Sequence, residues 1–598
     1  MTMQAVYNIA EICAQHGITD VVLSPGSRSA PLALAFARHP AFKGHVRVVP
    51  DERAAAFIGL GIAQATRRPV VLVCTSGSAG LNYAPAVAEA YFQQIPLLIL
   101  TADRPPEWID QLDGQTIRQR NLYGAHAKGA FEFPVDTSHP DTKWFSARII
   151  NEAINLAQAA PAGPVQVNVP LREPFYPKAG EEIRYEQDVK IIRETKGLGL
   201  PDPTEMQALV EEFEHSAKIM FVFGQQQAEA SLPFDNKLLA NANSYGDEIS
   251  GAVFIGDVIS NLAPGELVAA HWHIIHSQDV TLMGLNTAFK AQLQPDLVIT
   301  CGLSLISKSL KQFLRAYPPK QHWHVQPADA AADTFGALTR IIRAEPSRFL
   351  VSLLECATPL WSLPDEISDM RSEYTQLWID HERQAKKLLG KGIDSLLAKT
   401  GGFNEFGAFR MALVAIPQNT TLHLANSMAV RYANILGIPQ GRQIEVFANR
   451  GTSGIDGCTS TAVGAALAQP ERPVVLLTGD VAFFYDRNAF WHNYPTPNLR
   501  VVLFNNHGGG IFRMIDGPRQ QPELDEFFET RQALTAENTA RDFNLRYYPV
   551  SSFTELDAAL PVFFAAESGA AILEVFTDSK TNAAFFEEYR AAVKAAFA

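Results

Sequence analysis

Short apolar runs alternate with stretches of helical periodicity from one end of this chain to the other, and that rhythm limits its fold more than any other feature. Runs at 21–23, 46–49, 70–74 and 97–101 are apolar and β-rich, with helical stretches at 31–38, 53–65 and 81–93 between them. Strands that lack polar alternation are buried on both faces. A strand–helix–strand–helix order lays them parallel in one sheet, with helices on both sides. A run at 165–169 adds a strand before a polar exit at 173–187. The rhythm resumes at 219–223, 297–300 and 322–326. After a charged helical bridge at 367–389 it returns at 421–424, 445–447, 474–478, 501–504 and 571–576. The expected architecture is α/β: three doubly wound parallel-sheet domains over 1–187, 195–355 and 365–598. The central one has fewer polar motifs at its strand ends and reads as a supporting, nucleotide-binding-like domain. A chain of 598 residues needs more than one core, since single cores stop growing at about 250–300 residues.

Charge and composition exclude several classes of function. Lys and Arg number 50 against 63 Asp and Glu, a net charge of −13, which opposes binding to nucleic acid or to an anionic membrane. No apolar stretch reaches the roughly 18 residues needed to span a bilayer. Cys13, Cys74, Cys301, Cys356 and Cys458 are scattered without a C-x-x-C pair, so neither a zinc site nor a disulfide framework is expected. Residues 1–17 lack a basic segment followed by an apolar one. They read as an amphipathic helix with Val6, Ile9, Ala10 and Cys13 on one face, and a cytoplasmic protein is expected.

In such sheets ligands sit beyond the carboxyl ends of the strands, so polar residues at those ends carry the functional signal. The 474–478 run leads into Gly479-Asp480, and the 501–504 run ends in Asn505-Asn506-His507-Gly508-Gly509-Gly510. Asp480 and Asn506 are one strand–helix–strand excursion apart, which returns both to the same sheet edge. A carboxylate, an amide oxygen and a backbone carbonyl from Gly508 are hard oxygen donors suited to Mg²⁺ or Mn²⁺ holding a diphosphate. Glycine at 508–510 lets the backbone approach phosphate. The plainer reading is an Asp helix cap and an Asn-Gly turn; two such residues at two strand ends favour the metal site. Near the other end of the chain, Glu52 follows the 46–49 run and opens the next helix. Taken alone it reads as a first-turn acid complementing the helix dipole.

The Gly-Asp…Asn-Asn pairing with Glu52 resembles the cofactor clamp of thiamine-diphosphate enzymes, although Val481 stands where that group usually has Gly. The remaining strand-end strings are Ser24-Pro25-Gly26-Ser27-Arg28-Ser29, Thr75-Ser76-Gly77-Ser78, Thr101-Ala102-Asp103-Arg104-Pro105-Pro106, Gly114-Gln115-Thr116, Asn426-Ser427-Met428-Ala429-Val430-Arg431 and Asn449-Arg450-Gly451-Thr452-Ser453-Gly454-Ile455-Asp456-Gly457. Together they resemble the 2-succinyl-5-enolpyruvyl-6-hydroxy-3-cyclohexene-1-carboxylate synthase family, from about Val21 to Phe512. The resemblance implies a carboligase that decarboxylates 2-oxoglutarate on thiamine diphosphate and joins the product to isochorismate. It implies cofactor contacts from Glu52, Ser427, Met428, Ile455, Gly479, Asp480 and Phe512, with Ile455 as an apolar prop and Asp480, Asn506 and Gly508 on the metal. Arg431 and Arg450, with Ser427, would hold the distal carboxylate of the oxo acid. Ser27, Arg28, Arg104 and Gln115 would face isochorismate. Four arginines at sheet mouths in an acidic chain suit carboxylated substrates, because the guanidinium fork binds carboxylate bidentately. The family's middle-domain Lys matches Lys308, but Ser309 stands in the place of the Arg that often follows it. The resemblance further implies a homodimer or homotetramer with active sites at the subunit interface, the cofactor touching one chain's N-terminal domain and its partner's C-terminal domain. An acetohydroxyacid-synthase-like enzyme would share Glu52, Asp480 and Asn506 without needing the arginines. A nicotinamide dehydrogenase would need a G-x-G-x-x-G after a strand, and none is present. His126 and His507 lie near these motifs and read as histidines with satisfied polar contacts.

Overall fold

The computed structural model describes all residues except 1–2, 174, 178–180, 196, 198, 227–250, 263–273 and 359. Among the described residues the strands form three sheets of six, and every pairing is parallel. The first holds β1 (Val21–Leu23), β2 (Val46–Val48), β3 (Val70–Cys74), β4 (Leu97–Asp103), β5 (Gly129–Glu132) and β6 (Pro164–Pro170) in the order β2-β1-β3-β4-β6-β5. The second holds β7 (Ile219–Phe223), β8 (Ala252–Gly256), β9 (Ile274–Ile275), β10 (Leu297–Cys301), β11 (Gln321–Val325) and β12 (Arg340–Ile342), ordered β12-β11-β10-β7-β8-β9. The third holds β13 (Thr421–Leu424), β14 (Glu445–Phe447), β15 (Val474–Gly479), β16 (Leu499–Asn505), β17 (Arg546–Val550) and β18 (Ala571–Phe576), ordered β14-β13-β15-β16-β18-β17. The outer two sheets thus share one strand order. The middle sheet follows the 3-2-1-4-5-6 order of dinucleotide-binding folds.

The central strands β3, β4, β7, β10 and β16 are buried at every position, as their unbroken apolar runs require. The helix read as 81–93 is two, Ser78–Asn82 and Ala84–Gln93. Pro85 has no N–H to donate and its ring crowds the carbonyl four residues back, so a single helix cannot run through it. All five cysteines are unpaired thiols, and Cys356 alone among them is exposed. Among the described residues, no helix is long and apolar enough to cross a membrane.

The first and third domains meet through two helices, Glu52–Thr66 and Cys458–Ala468, which share one apolar core that includes Ile58, Ile62, Ala462, Val463 and Ala466. Glycines let the backbones touch. A Cβ on Gly464 would overlap the Ile58 carbonyl and stand 3.1 Å from Gly61 Cα, and one on Gly61 would overlap the Thr461 carbonyl. Polar ties flank this seam: Arg67 pairs with Glu445 at 3.0 Å, and Arg47 donates to the Leu467 carbonyl at 3.1 Å. The middle domain is fastened to the third by a buried polar knot. Asn434 Nδ2 donates to Asp257 at 3.2 Å and to Asp279 at 2.7 Å, and Asp257 also accepts from the backbone N–H groups of Ile306 and Ser307. The helix carrying Arg431 is therefore tied to the loop that leads into Lys308.

Candidate active site

The third sheet presents its polar residues in a row. β13, β15 and β16 are neighbours, and their carboxyl ends lead into Ser427, Asp480 and Asn506 respectively. Ser427 has φ 71° and ψ −125°, a conformation that costs an L-residue about 1–3 kcal/mol and is kept where the surroundings impose it. It opens the helix Met428–Leu436, and the Arg431 guanidinium folds back onto its carbonyl. Gly479 is different: a Cβ there would meet nothing within 4 Å, so the space beside it at the sheet mouth is open.

Asp480 is buried, and Gln532 Nε2 donates to it at 2.8 Å. Burial pushes its carboxyl up to about 6, against the backbone N–H groups of Val481 and Gly508, which draw it down. Asn506 is 9% exposed. Its Nδ2 donates to Glu405 at 2.8 Å, while its Oδ1 is buried without a hydrogen-bond partner. A buried amide oxygen left unpaired costs about 1–3 kcal/mol. Burial likewise pushes the Glu405 carboxyl up to about 7, and the neighbouring Asp480 adds to that rise. Two inward carboxyls and an orphaned amide oxygen are what a divalent cation would relieve. Among the described residues no three His, Cys, Asp or Glu gather as a metal cluster; a cation here would draw on the Asp480 carboxylate and the free Asn506 amide oxygen. That set suits a hard cation which also takes ligands from a phosphate.

The structure gives the glycine run its own reason. A Cβ on Gly508 would stand 2.7 Å from the Glu529 carbonyl oxygen, and one on Gly510 would stand 2.9 Å from Asn506 Nδ2. The glycines admit neighbouring protein as well as any phosphate. The ring of Phe512 stands 5.9 Å from that of Phe528, and Ile455 is half-buried against the large core below. His507 stacks on Phe576 at 5.9 Å, but its Nδ1 is buried without a partner, contrary to the satisfied contact expected of it. His126 is exposed and meets only the edge of Phe92 among ring contacts.

At the mouth of the first sheet, Glu52 begins the helix Glu52–Thr66. The cap is Asp51, whose carboxylate accepts from Arg53 N at 2.9 Å and Ala54 N at 3.3 Å. Asn488 holds the second Asp51 oxygen at 2.8 Å. The capping role therefore falls to Asp51, and half-buried Glu52 is the acid of the first turn. Arg28 is buried over the Phe175 ring at 4.5 Å, and its Nη1 donates to the Leu171 carbonyl at 2.9 Å. Desolvation lowers its pKa, and the nearby Arg104 lowers it further. Arg104 donates through Nε to the Gly114 carbonyl at 2.8 Å and pairs with Asp113 at 2.9 Å. Gln115, exposed with φ 54°, packs its backbone against Gly77. Ser27 is exposed beside them. The structure thus brings Ser27, Arg28, Arg104 and Gln115 to one sheet mouth. Among the described residues no hydrogen bond or ion pair links them to the Asp480–Asn506 end.

Arg450 donates through Nη1 to Asn426 Oδ1 at 3.0 Å, and its Nε is buried without a partner. Asn426 Nδ2 in turn holds the Asn449 carbonyl at 2.7 Å and the Gly454 carbonyl at 2.6 Å. Desolvation lowers the pKa of Arg431, and Arg450 lowers it further. Lys308 is exposed in the first turn of the helix Lys308–Ala316. Lys311, one turn on, is the lysine that feels both arginines: burial lowers its pKa first, and Arg450 and Arg431 contribute.

Three further positions were not anticipated from sequence. Glu89 of the first domain is 1% exposed and accepts from Gly451 N and Thr452 N, each at 2.7 Å. It secures the loop that carries Arg450 and Ile455. Glu405 holds Asn506, and Gln532 holds Asp480. Single polar residues such as these give no local signal of partners 52, 101 or 362 residues away.

Two family models match the chain: the N-terminal thiamine pyrophosphate binding domain over residues 3–124 and the C-terminal thiamine pyrophosphate binding domain over 431–575. Among solved structures the chain is similar to benzoylformate decarboxylase from Polynucleobacter necessarius, with a TM-score of 0.68 and 16% identity over 96% of this chain and 98% of that one. That likeness speaks to the fold. Proteins named 2-succinyl-5-enolpyruvyl-6-hydroxy-3-cyclohexene-1-carboxylate synthase are much nearer in sequence. The one from Cytophaga hutchinsonii is 45% identical over 100% of both chains, and that from Flavobacterium johnsoniae is 37% identical over 97% of both. The one from Bacteroides fragilis is 33% identical over 98% of both. With three parallel sheets, thiamine pyrophosphate domains at either end and relatives matched over their whole length, the chain belongs to the 2-succinyl-5-enolpyruvyl-6-hydroxy-3-cyclohexene-1-carboxylate synthase family.

Proposed function

We propose that this enzyme decarboxylates 2-oxoglutarate on thiamine diphosphate and adds the resulting succinyl-semialdehyde unit to isochorismate. The products are 2-succinyl-5-enolpyruvyl-6-hydroxy-3-cyclohexene-1-carboxylate and CO₂, a step of menaquinone biosynthesis. Thiamine diphosphate, when bound, supplies the electron sink for the carbon–carbon bond that breaks. Asp480, Asn506 and the Gly508 carbonyl would hold Mg²⁺ or Mn²⁺, and Ser427, Met428 and Gly479 would bind the cofactor's diphosphate end. Ile455 and Phe512 wall the ring portion. The Glu52 carboxyl would hydrogen-bond the aminopyrimidine and hold a proton there. Arg431 and Arg450 bind the distal carboxylate of the oxo acid, with Ser427 alongside. Ser27, Arg28, Arg104 and Gln115 bind the carboxylated ring acceptor, and Lys308 contributes from the middle domain. As the family resemblance implies, the cofactor is bound between the N-terminal domain of one chain and the C-terminal domain of its partner, in a homodimer or a dimer of dimers. The enzyme acts in the cytoplasm.

The observation that supports this reading most is the buried, unpartnered Oδ1 of Asn506 beside Asp480, at one mouth of a fold whose other mouth holds Arg28 and Arg104. The test supplies thiamine diphosphate, Mg²⁺ and 2-oxoglutarate with and without isochorismate, following CO₂ release and the coupled product. Decarboxylation of pyruvate in place of 2-oxoglutarate would overturn the assignment in favour of an acetohydroxyacid-synthase-like enzyme. Glu52→Gln should keep the native circular dichroism spectrum and lose turnover.

A further inference from the structure

We propose that Glu405, braced by Asn582, is a positioning residue that fixes the Asn506 amide with its Oδ1 facing the cation. The inference rests on the metal-site reading above and extends it to a residue that touches neither cation nor cofactor.

Asn506 can present either end of its amide to a cation, and only the oxygen end binds one. The choice is made by what faces the other end. Glu405 Oε2 accepts from Asn506 Nδ2 at 2.8 Å. The same oxygen accepts from Asn582 Nδ2 at 3.2 Å, which marks it as an acceptor. Turning the Asn506 amide over would bring two acceptor oxygens together in a buried site, at a cost comparable with losing a hydrogen bond to a charged group.

Asn582 is itself held in one orientation. Its Oδ1 accepts the Glu405 backbone N–H at 2.8 Å, and its Nδ2 also donates to Thr577 Oγ1 at 2.9 Å. Asn404 caps the helix that Glu405 opens by accepting from Gly407 N at 2.9 Å, so the Glu405 backbone is fixed as well. The Asn506 amide also lies against Gly510, where even a Cβ would stand 2.9 Å from Nδ2. Among the described residues Oδ1 is left without a hydrogen-bond partner. Outer groups that orient metal ligands in this way commonly govern 10- to 100-fold in metal affinity.

The experiment titrates the cofactor-free full-length chain with MgCl₂ at saturating thiamine diphosphate and reads the Mg²⁺ dissociation constant by calorimetry. Glu405→Met, which removes the acceptor, should weaken Mg²⁺ about 10- to 100-fold. Glu405→Gln keeps an acceptor oxygen and should remain within about threefold of wild type. Asn506→Ala should weaken Mg²⁺ at least as much as Glu405→Met, and the double variant should be no weaker than Asn506→Ala alone, because Glu405 acts only through the amide. A merely structural role would give additive losses and equal damage in Glu405→Gln. Should Glu405→Met fail to fold, Asn582→Ala frees the same carboxylate while leaving it in place and should weaken Mg²⁺ about threefold or more. Wild-type affinity in Glu405→Met, or in Asn582→Ala where that variant stands in, or strict additivity in the double variant, overturns the inference. Wild-type affinity in Asn506→Ala overturns the metal-site reading instead.

Discussion

Replacing Gly464 by alanine tests the seam on which the two outer domains meet. In isolation the change should help, since alanine is favoured over glycine within a helix by about 0.8–1.0 kcal/mol. At this position the new methyl overlaps the Ile58 carbonyl and lies 3.1 Å from Gly61 Cα, both main-chain groups of the facing helix. No side chain can swing aside, so the helices Glu52–Thr66 and Cys458–Ala468 must part by about an ångström. A gap of that size forfeits a quarter to a half of the dispersion energy across the contact. Overpacking of this kind costs about 1–3 kcal/mol and occasionally more, and a main-chain collision belongs at the upper end. After the propensity gain the net loss is about 1–2 kcal/mol, or roughly 2–8 °C in Tm for a unit of this size. Gly390→Ala is the matched control. It lies in the helical turn Leu388–Gly392, where a Cβ meets nothing within 4 Å, and should gain about 0.4–1 kcal/mol. The same shift moves the helix that carries Glu52, and an ångström of misplacement can cost up to about 100-fold in turnover. Calorimetry and steady-state rates read both effects. A Gly464→Ala enzyme with a raised Tm and unchanged turnover would refute the close backbone packing.

Three other outcomes follow from particular side chains. His423 on β13 is buried against Phe447 with Nε2 unpartnered, and burial pulls its pKa down to about 3. The unfolded chain takes up a proton near 6.5 while the folded one does not, so stability present above that pH is lost as pH falls from about 6.5 towards 3, by about 2 kcal/mol at pH 5. His423→Phe should remove that part of the loss, and parallel Tm-against-pH curves for the two proteins would sink the argument. Arg450→Lys gives up the fork that reaches Asn426 and should lower kcat/KM for 2-oxoglutarate about 10- to 100-fold, with KM for isochorismate nearly unmoved. Glu89→Gln places an amide N–H against the Gly451 and Thr452 N–H donors. It should loosen the 449–457 loop by about 1.5–3 kcal/mol, seen as faster hydrogen exchange confined to that loop.

The strands that sequence missed were missed for three different physical reasons. β5 and β17 lie at sheet edges and are mostly half-exposed, so neither presents a continuous apolar run. β9 has two residues and β12 three, too few for periodicity to register. β8 is a buried five-residue run, Ala252–Gly256, short enough to read either as a strand or as part of a helix.

What the sequence by itself determined was the sheet type and the placement of polar residues at its edges. A parallel strand must be apolar on both faces, and its loop must emerge at the carboxyl end, so runs such as 474–478 and the residues just after them report their own positions. Asp480, Asn506, Ser427, Arg28 and Arg104 were legible for that reason. Only the tertiary structure decided what each of them faces. Asn506 meets Glu405 across 101 residues and Gly451 meets Glu89 across 362, and no local pattern encodes pairings at such distance. The same holds beside Glu52, where only the structure shows Asp51 capping the helix and Asn488 holding that cap. Local propensity sets where a side chain is presented. Which partner satisfies it depends on how three sheets pack, because a buried polar group is specified by its neighbours in space and not by those along the chain.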